Sequence, residues 1–575
     1  MAERVLVDEG AEAFIELLNA NGVDCIFLSP GGETVPIQEA LAKFKALGKR
    51  TPRLIPCLHE SVALNAAQGY YLVSGKPQVV MVHADLGTQQ VGGALHSAQR
   101  GRTGVILCAG RSPSSLEEST RYGRRSYVHW STEQFDQAGI VRGYVKWYYE
   151  LRTNELIHQV MQRAFRIAAT EPCGPVYLVL PPELLGEKIE SVLVPDVTRY
   201  APPAPPQADE AQLEQAARML IGARNPLLIT GYAGRNQPTV AALVELTEAL
   251  SMRVISYPFR LNFPATHPLY SGSNPHPYLA DADVILVVDH DAPYVPTQVR
   301  PGPQAKIIHI DIDALKQDIP SWHFPVDLFI RADSAKAVPA LVEIVDKQMG
   351  AQPARIKERF QRLEGEYKEK RARWLEVALS QALKKPITTE WLCQAVARAI
   401  DEDTIILDEA LTGSLALEHQ IYPSRPGTLF KTGGSSLGWG LGAALGVKLA
   451  APERTVIHLV GDGGFSYGCP QASLWAAATC GAPFLSVVFN NQQYQAIRRA
   501  IHRNYGRDSF SDKTDLWAGT EIKPSPDYAL AARSAGGYGQ RVTDPAELEA
   551  ALDTALGEVR RGLPAVLDVS TAGVG

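Results

Sequence analysis

Short apolar runs rich in β-branched residues recur along this chain, with helix-length stretches between them. In residues 1–190 the runs are CIFLS (25–29), QVVMVH (78–83), GVILCAG (104–110) and GPVYLVLP (174–181). A second set follows a Pro-rich linker that begins near Tyr200: NPLLIT (225–230), RVISY (253–257), DVILVVD (283–289) and KIIHIDID (306–313). A third set, TIILD (404–408), TVIHLV (455–460), PFLSVVFN (483–490) and PAVLDVS (564–570), comes after a charged stretch over 354–385 that reads as an exposed connecting helix. Strands apolar at every position are covered on both faces, and their alternation with helices predicts doubly wound parallel sheets. A chain of 575 residues exceeds what one core can hold. The expected fold is α/β: three doubly wound parallel-sheet domains in series, over 1–190, 208–345 and 387–575. No period of 20–50 residues recurs, which argues against solenoids and propellers.

Composition removes several function classes. The net charge of −6 with no basic block argues against nucleic acid as a partner. Thirteen histidines show no HExxH-type spacing, and the seven cysteines include no CxxC and lie mostly in apolar segments. That is the pattern of reduced cysteines in a cytosolic protein. The N-terminal stretch is amphipathic and acidic, and no apolar run reaches membrane-spanning length. A cytoplasmic protein without a membrane or nucleic-acid partner is expected.

Two loops point to chemistry. Gly461-Asp462-Gly463-Gly464-Phe465 follows the run TVIHLV, and Asn490-Asn491 closes PFLSVVFN; twenty-six residues separate Gly-Asp-Gly from Asn-Asn. Both leave the carboxyl ends of buried strands, where open α/β sheets bind their ligands. A carboxylate and a carboxamide delivered there suit a hard divalent cation. Glycine beside the aspartate lets a phosphate approach the backbone, and a following helix would aim its amides at it. Turns use Gly-Asp-Gly freely, but strand–GDG–helix followed by strand–Asn-Asn is far more specific. A metal–diphosphate site is predicted here.

These residues resemble the binding motif for thiamin diphosphate (ThDP). The whole chain is similar to the decarboxylase and acetolactate-synthase-like branch of ThDP enzymes, with pyrimidine-binding, middle and diphosphate-binding domains. The resemblance implies that Asp462 and Asn491 ligate Mg²⁺ through side chains and Gln493 through its carbonyl, with Gly461, Gly463, Gly464 and Phe465 lining the diphosphate. The interval between the motifs is slightly long for the family, which suggests extra residues around Tyr467–Gln471. Glu60, early in an Ala-rich apolar helix, matches the glutamate that promotes proton loss from the cofactor. Leu437, in Lys431-Thr-Gly-Gly-Ser435-Ser436-Leu437-Gly438, matches the wedge that bends ThDP; the Ser435 carbonyl and Leu437 amide would hold its aminopyrimidine. Thr412, in Thr412-Gly413-Ser414, marks a second diphosphate loop.

The substrate side is less defined. His83 closes a strand 23 residues after Glu60, the spacing at which benzoylformate decarboxylases carry a catalytic histidine. It could supply the proton that follows loss of CO₂, since a histidine titrates near neutrality. His290, between Asp289 and Asp291, falls near a second active-site histidine of those enzymes, although its flanking acids could simply solvate it. Gly32, in the loop 29–34, stands where they have a substrate-binding serine, so an aromatic 2-oxoacid is not secured. In the middle domain Thr230-Gly-Tyr-Ala-Gly-Arg235 resembles the glycine turn that holds FAD in acetolactate synthase. FAD is admitted but not favoured there; an empty remnant is.

The resemblance therefore implies a ThDP- and Mg²⁺-dependent enzyme acting next to a carbonyl, first a non-oxidative 2-oxoacid decarboxylase. The alternative is an acetolactate synthase-like carboligase that joins the same fragment to a second carbonyl compound. A non-catalytic relative is disfavoured by the joint presence of Glu60, Leu437, Asp462 and Asn491. A homodimer or homotetramer is expected, with Glu60 and the diphosphate site of one pocket on different subunits.

Overall fold

The computed structural model describes residues 2–257, 259–350 and 353–573; the outermost expected domain limits, 1 and 575, lie outside the described residues. The fold is α/β, three domains each built on a parallel sheet. The chain divides into two compact units, Met1–Pro203 with Thr432–Arg541 and Thr554–Asp568, and Ala204–Lys431 with Val542–Asp553 and Val569–Gly575.

In the first unit six parallel strands lie in the order Arg53–Pro56, Cys25–Leu28, Gln78–Val82, Val105–Ala109, Val176–Val179, Trp147–Glu150. The four inner strands are buried at every residue, as their unbroken apolar runs require. From Cys25–Leu28 the chain passes to one neighbour and then returns to the other, so the winding reverses between Cys25–Leu28 and Gln78–Val82. A crevice opens outside the carboxyl ends of strands at such a reversal. The loop 29–34 and His83 leave those two ends. In the same unit Val456–Gly461 pairs in parallel with Leu485–Asn490, placing Gly461 beside Phe489.

Helix Glu60–Ser74 packs along helix Trp439–Ala450 with almost no side chain between them. A Cβ on Gly69 would strike the Ala443 carbonyl, and one on Gly446 the Ala66 carbonyl. The Ala/Gly-rich composition of both helices is what allows this approach.

The second unit carries five parallel strands in the order Arg253–Ser256, Pro226–Thr230, Val284–Val288, Lys306–Asp311, Leu328–Arg331. Ile405–Glu409 pairs in parallel with Leu429–Lys431. The charged stretch is a 27-residue helix, Ala354–Ser380, and it is more than an exposed connector. Its buried Arg359 donates to the carbonyls of Ser251 (2.9 Å) and Arg224 (2.6 Å), both just past helix ends. Carbonyls at helix C-termini lack partners within the helix, and a guanidinium supplies them. Among the described residues no helix is long and apolar enough to cross a membrane.

Candidate active site

Strand Val456–Gly461 delivers Asp462 as the first residue of a six-residue helix, Asp462–Tyr467. The Asp462 side chain is 3% exposed. Its Oδ1 accepts the Gly463 amide at 2.8 Å, and its Oδ2 accepts the Gln492 amide at 2.6 Å. Burial pushes this carboxyl up to about 6, so the site gains from a bound cation that restores the charged form. The two asparagines at the next strand end divide their work. Asn490 is buried and donates to Asp568 Oδ1 (2.7 Å) and Ser525 Oγ (3.0 Å), which makes it an anchor. Gln492 adopts φ 59°, and in that turn Asn491 Oδ1 accepts the Gln493 amide at 3.1 Å. One buried carboxylate and amide oxygens on a tight turn tied to it form a hard oxygen donor set, which fits Mg²⁺.

Glu60 opens helix Glu60–Ser74, capped by His59, whose Nδ1 accepts the Ser61 amide at 3.1 Å. Gly87 lies beside Glu60: a Cβ there would come within 3.3 Å of Oε1. The segment 432–438 lies along helix Gly92–Arg100, with Thr432 Oγ1 donating to Ser97 Oγ (3.1 Å), Gly433 against Gly101 and Ser436 against Gly93. Gly438 at φ 84° turns the chain into Trp439–Ala450, just after half-buried Leu437 and exposed Ser435. Asn65, on the Glu60 helix, donates to the Gly438 carbonyl at 3.4 Å. The chain after Gly-Asp-Gly forms a corner at Cys469, φ 49°, before helix Pro470–Thr479. There the His59 imidazole holds the Cys469 thiol below its ordinary value, and Cys469 in turn holds His59 above its own. Glu60, the Leu437 loop and the Asp462 turn thus belong to the same compact unit.

His83 ends strand Gln78–Val82 and is half-buried. Its Nδ1 lies 2.5 Å from Oε2 of Glu33, which is 4% exposed. That hydrogen bond raises His83 above the usual histidine range. Glu33, His59 and Cys469 carry no motif of their own in the sequence, and the only hint was the unusual 29–34 loop.

In the second unit Thr412 sits in the turn Leu411–Gly413, fixed by Ser414 Oγ donating to Asp408 Oδ1 (2.9 Å) and by Lys431 on both Asp408 (3.2 Å) and Ser414 (2.9 Å). Asp408 and Ser414 also line a cavity of about 480 Å³ with Arg260, Tyr257, Tyr294 and Glu418. His290 is 2% exposed and edge-on to Tyr257; its Nδ1 accepts the Ala292 amide at 3.1 Å. The flanking acids do not solvate it. Asp289 pairs with Arg235, and Asp291 with buried Lys316. Desolvation pushes His290 down to about 3, which leaves it neutral near pH 7. In the glycine turn the Tyr232 amide donates to the Asp289 carbonyl (2.9 Å) and the Gly234 amide to Asn262 Oδ1 (2.9 Å).

Comparison with known proteins covers all three domains. Family models match residues 8–140 (thiamine pyrophosphate enzyme, N-terminal TPP binding domain), 213–341 (central domain) and 412–569 (C-terminal TPP binding domain). The chain is 27% identical over 586 residues to the acetolactate synthase isozyme 3 large subunit of Escherichia coli, covering 98% of this chain and 95% of that protein. It is also 27% identical over 582 residues to the benzoylformate decarboxylase of Pseudomonas aeruginosa, covering 97% and 98%. In fold it is similar to the thiamine diphosphate-dependent 4-hydroxybenzoylformate decarboxylase of Rhodococcus jostii RHA1, with TM-score 0.78, 24% identity and 98% and 99% coverage. With its three domains matched in order along the chain, this protein belongs to the thiamine pyrophosphate enzymes, in their decarboxylase and acetolactate-synthase-like branch.

Proposed function

We propose that the chain is a ThDP- and Mg²⁺-dependent non-oxidative decarboxylase that converts a 2-oxoacid to an aldehyde. Bound ThDP would supply the carbon nucleophile for the keto group and the electron sink that CO₂ loss requires. The chain's own residues do the rest. Asp462 and Asn491 side chains and the Gln493 carbonyl would hold the metal, and Gly461, Gly463, Gly464 and Phe465 would cradle the diphosphate. Leu437 and the Ser435 carbonyl orient the aminopyrimidine. The Glu60 carboxyl exchanges the proton that activates the cofactor. His83 Nε2 delivers a proton to the carbon that CO₂ leaves.

The observation that carries the choice of decarboxylation is the Glu33-bonded His83 at the strand end, where the carboxylate favours the protonated ring that a proton donor needs. His290, buried and neutral near pH 7, holds no extra proton to give. A panel of 2-oxoacids, with and without an acceptor aldehyde, tests this by mass spectrometry. Aldehyde equal to the CO₂ released is expected, and ligated product without free aldehyde would overturn it in favour of an acetolactate synthase-like carboligase. FAD is not favoured, because the Tyr232 and Gly234 amides that would face a nucleotide diphosphate are already bonded within the chain.

A cytoplasmic homodimer or homotetramer with shared sites is part of the same reading; six of the seven free cysteines are buried, as expected in a reducing compartment. Mixing the Glu60→Gln and Asp462→Ala variants separates shared from single-chain sites. Shared sites regain activity in the mixture, because one pocket is left with neither substitution; sites within one chain do not.

A further inference from the structure

We propose that Glu33 is a positioning residue of the protonation step: its carboxylate grips Nδ1 of His83 and leaves Nε2 as the proton-carrying atom. The inference rests on the decarboxylase reading above, and it extends that reading to a residue with no assigned role.

The pair stands where the sheet places ligand chemistry. Glu33 follows the strand Cys25–Leu28 and His83 the strand Gln78–Val82, the two strands between which the winding reverses. Two glycines make room for it. A Cβ on Gly31 would lie 2.6 Å from His83 Cγ, and one on Gly110 would lie 2.9 Å from Glu33 Cγ. Gly110 follows the next strand, Val105–Ala109, so three adjacent strand ends enclose one carboxylate–imidazole pair. Immediately after His83, Ala84 holds φ 26°, a region that side chains other than glycine rarely enter. Such strain persists where the surroundings dictate the conformation, and it clusters at functional sites.

The chemistry follows from which nitrogen is engaged. A carboxylate only accepts, so Nδ1 carries a proton in both charge states of the ring and Nε2 alone gains or loses one. When CO₂ leaves, its bonding electrons remain on the substrate-derived carbon, and the Nε2 proton neutralises them. The neutral ring, still held at Nδ1, recovers a proton from solvent before the next turnover, so each cycle consumes one proton and releases one CO₂ and one aldehyde. The charged groups that act on His83 are Glu33, Asp85 and Glu60, all acids that favour the cation. Asp85 is buried, with an Oδ1 that has no hydrogen-bond partner among the described residues, and burial raises its own carboxyl, so Glu33 is the acid in contact.

The test uses the full-length holoenzyme and its Glu33→Gln and Glu33→Asp variants. Deuterium exchange at the histidine C2 position, read by mass spectrometry across pH, gives the titration midpoint of His83 independently of turnover. In Glu33→Gln the midpoint should move to lower pH. The alkaline limb of kcat should move with it, and kcat should fall about tenfold or more while KM changes less. Glu33→Asp, which keeps the charge, should recover part of both shifts and guards against a folding defect in the amide variant. An unmoved midpoint in Glu33→Gln overturns the pairing. A midpoint that moves while the limb of kcat stays fixed overturns the positioning role. If the unsubstituted enzyme releases no free aldehyde from any 2-oxoacid, the decarboxylase reading falls and takes this role with it; aldehyde release with an unmoved midpoint removes Glu33 alone.

Discussion

His83 and His290 both follow apolar strands at the carboxyl edge of a parallel sheet, and in the sequence both stand near acids. The structure sends them in opposite directions. His83 keeps part of its surface in solvent and contacts the Glu33 carboxylate, so its cation is favoured. His290 is sealed in, its neighbours Asp289 and Asp291 are paired with Arg235 and Lys316, and its cation is strongly disfavoured. An acid near in sequence does not make a histidine cationic; an acid in contact does, provided no stronger cation already holds it.

The first way to test this contrast is to remove the site on which it depends. Asp462→Ala should abolish metal-dependent ThDP retention in calorimetry, and neither histidine should then influence turnover; unchanged affinity would refute the metal assignment. Glu60→Gln should bind ThDP yet lose turnover by about 10²–10⁴-fold, and near-normal steady-state rates would remove its role. The histidines themselves should then separate. His83→Asn should slow aldehyde formation by about 10²-fold with ThDP affinity intact, whereas His290→Phe should change kcat only a few-fold. Equal losses would erase the contrast.

The smallest effect concerns stability. Because His83 titrates above the unfolded value near 6.5, its contribution is full below that pH and is lost as pH rises through the folded value. His290 titrates at about 3 when folded, so between about 6.5 and 3 the unfolded chain binds the extra proton and stability falls as pH falls. His290→Phe should therefore narrow the difference between melts at pH 7 and pH 5, by a kcal/mol or two at most. A gap of unchanged width would mean that the native ring protonates freely.

How much of this was legible follows from burial. Every central strand was visible as an apolar run, because covering both faces demands one. The edge strands Arg53–Pro56, Trp147–Glu150 and Tyr538–Val542 were missed; they are half-exposed and carry charge or amide side chains. So was the antiparallel pair Glu3–Leu6 with Ser191–Val194. At the site, motifs local in sequence could be read, from Asp462 to Asn491 and around Glu60. Contacts that need the folded chain could not: Glu33 and His83 lie 50 residues apart, and His59 meets Cys469 from the far end of the same unit. The fate of His290 was equally hidden, since it depends on Arg235 and Lys316 claiming its neighbours.

The backbone-to-backbone seat of helix Glu60–Ser74 on helix Trp439–Ala450 has a mechanical consequence. Side chains at an interface can change rotamer and absorb small displacements, but touching peptide groups have no such slack. Gly69 and Gly446 therefore work as a rigid gauge that sets the spacing between the helix that opens on Glu60 and the helix that follows the Leu437 loop. One methyl group at either position would force the two helices apart and carry the segments at their ends with them.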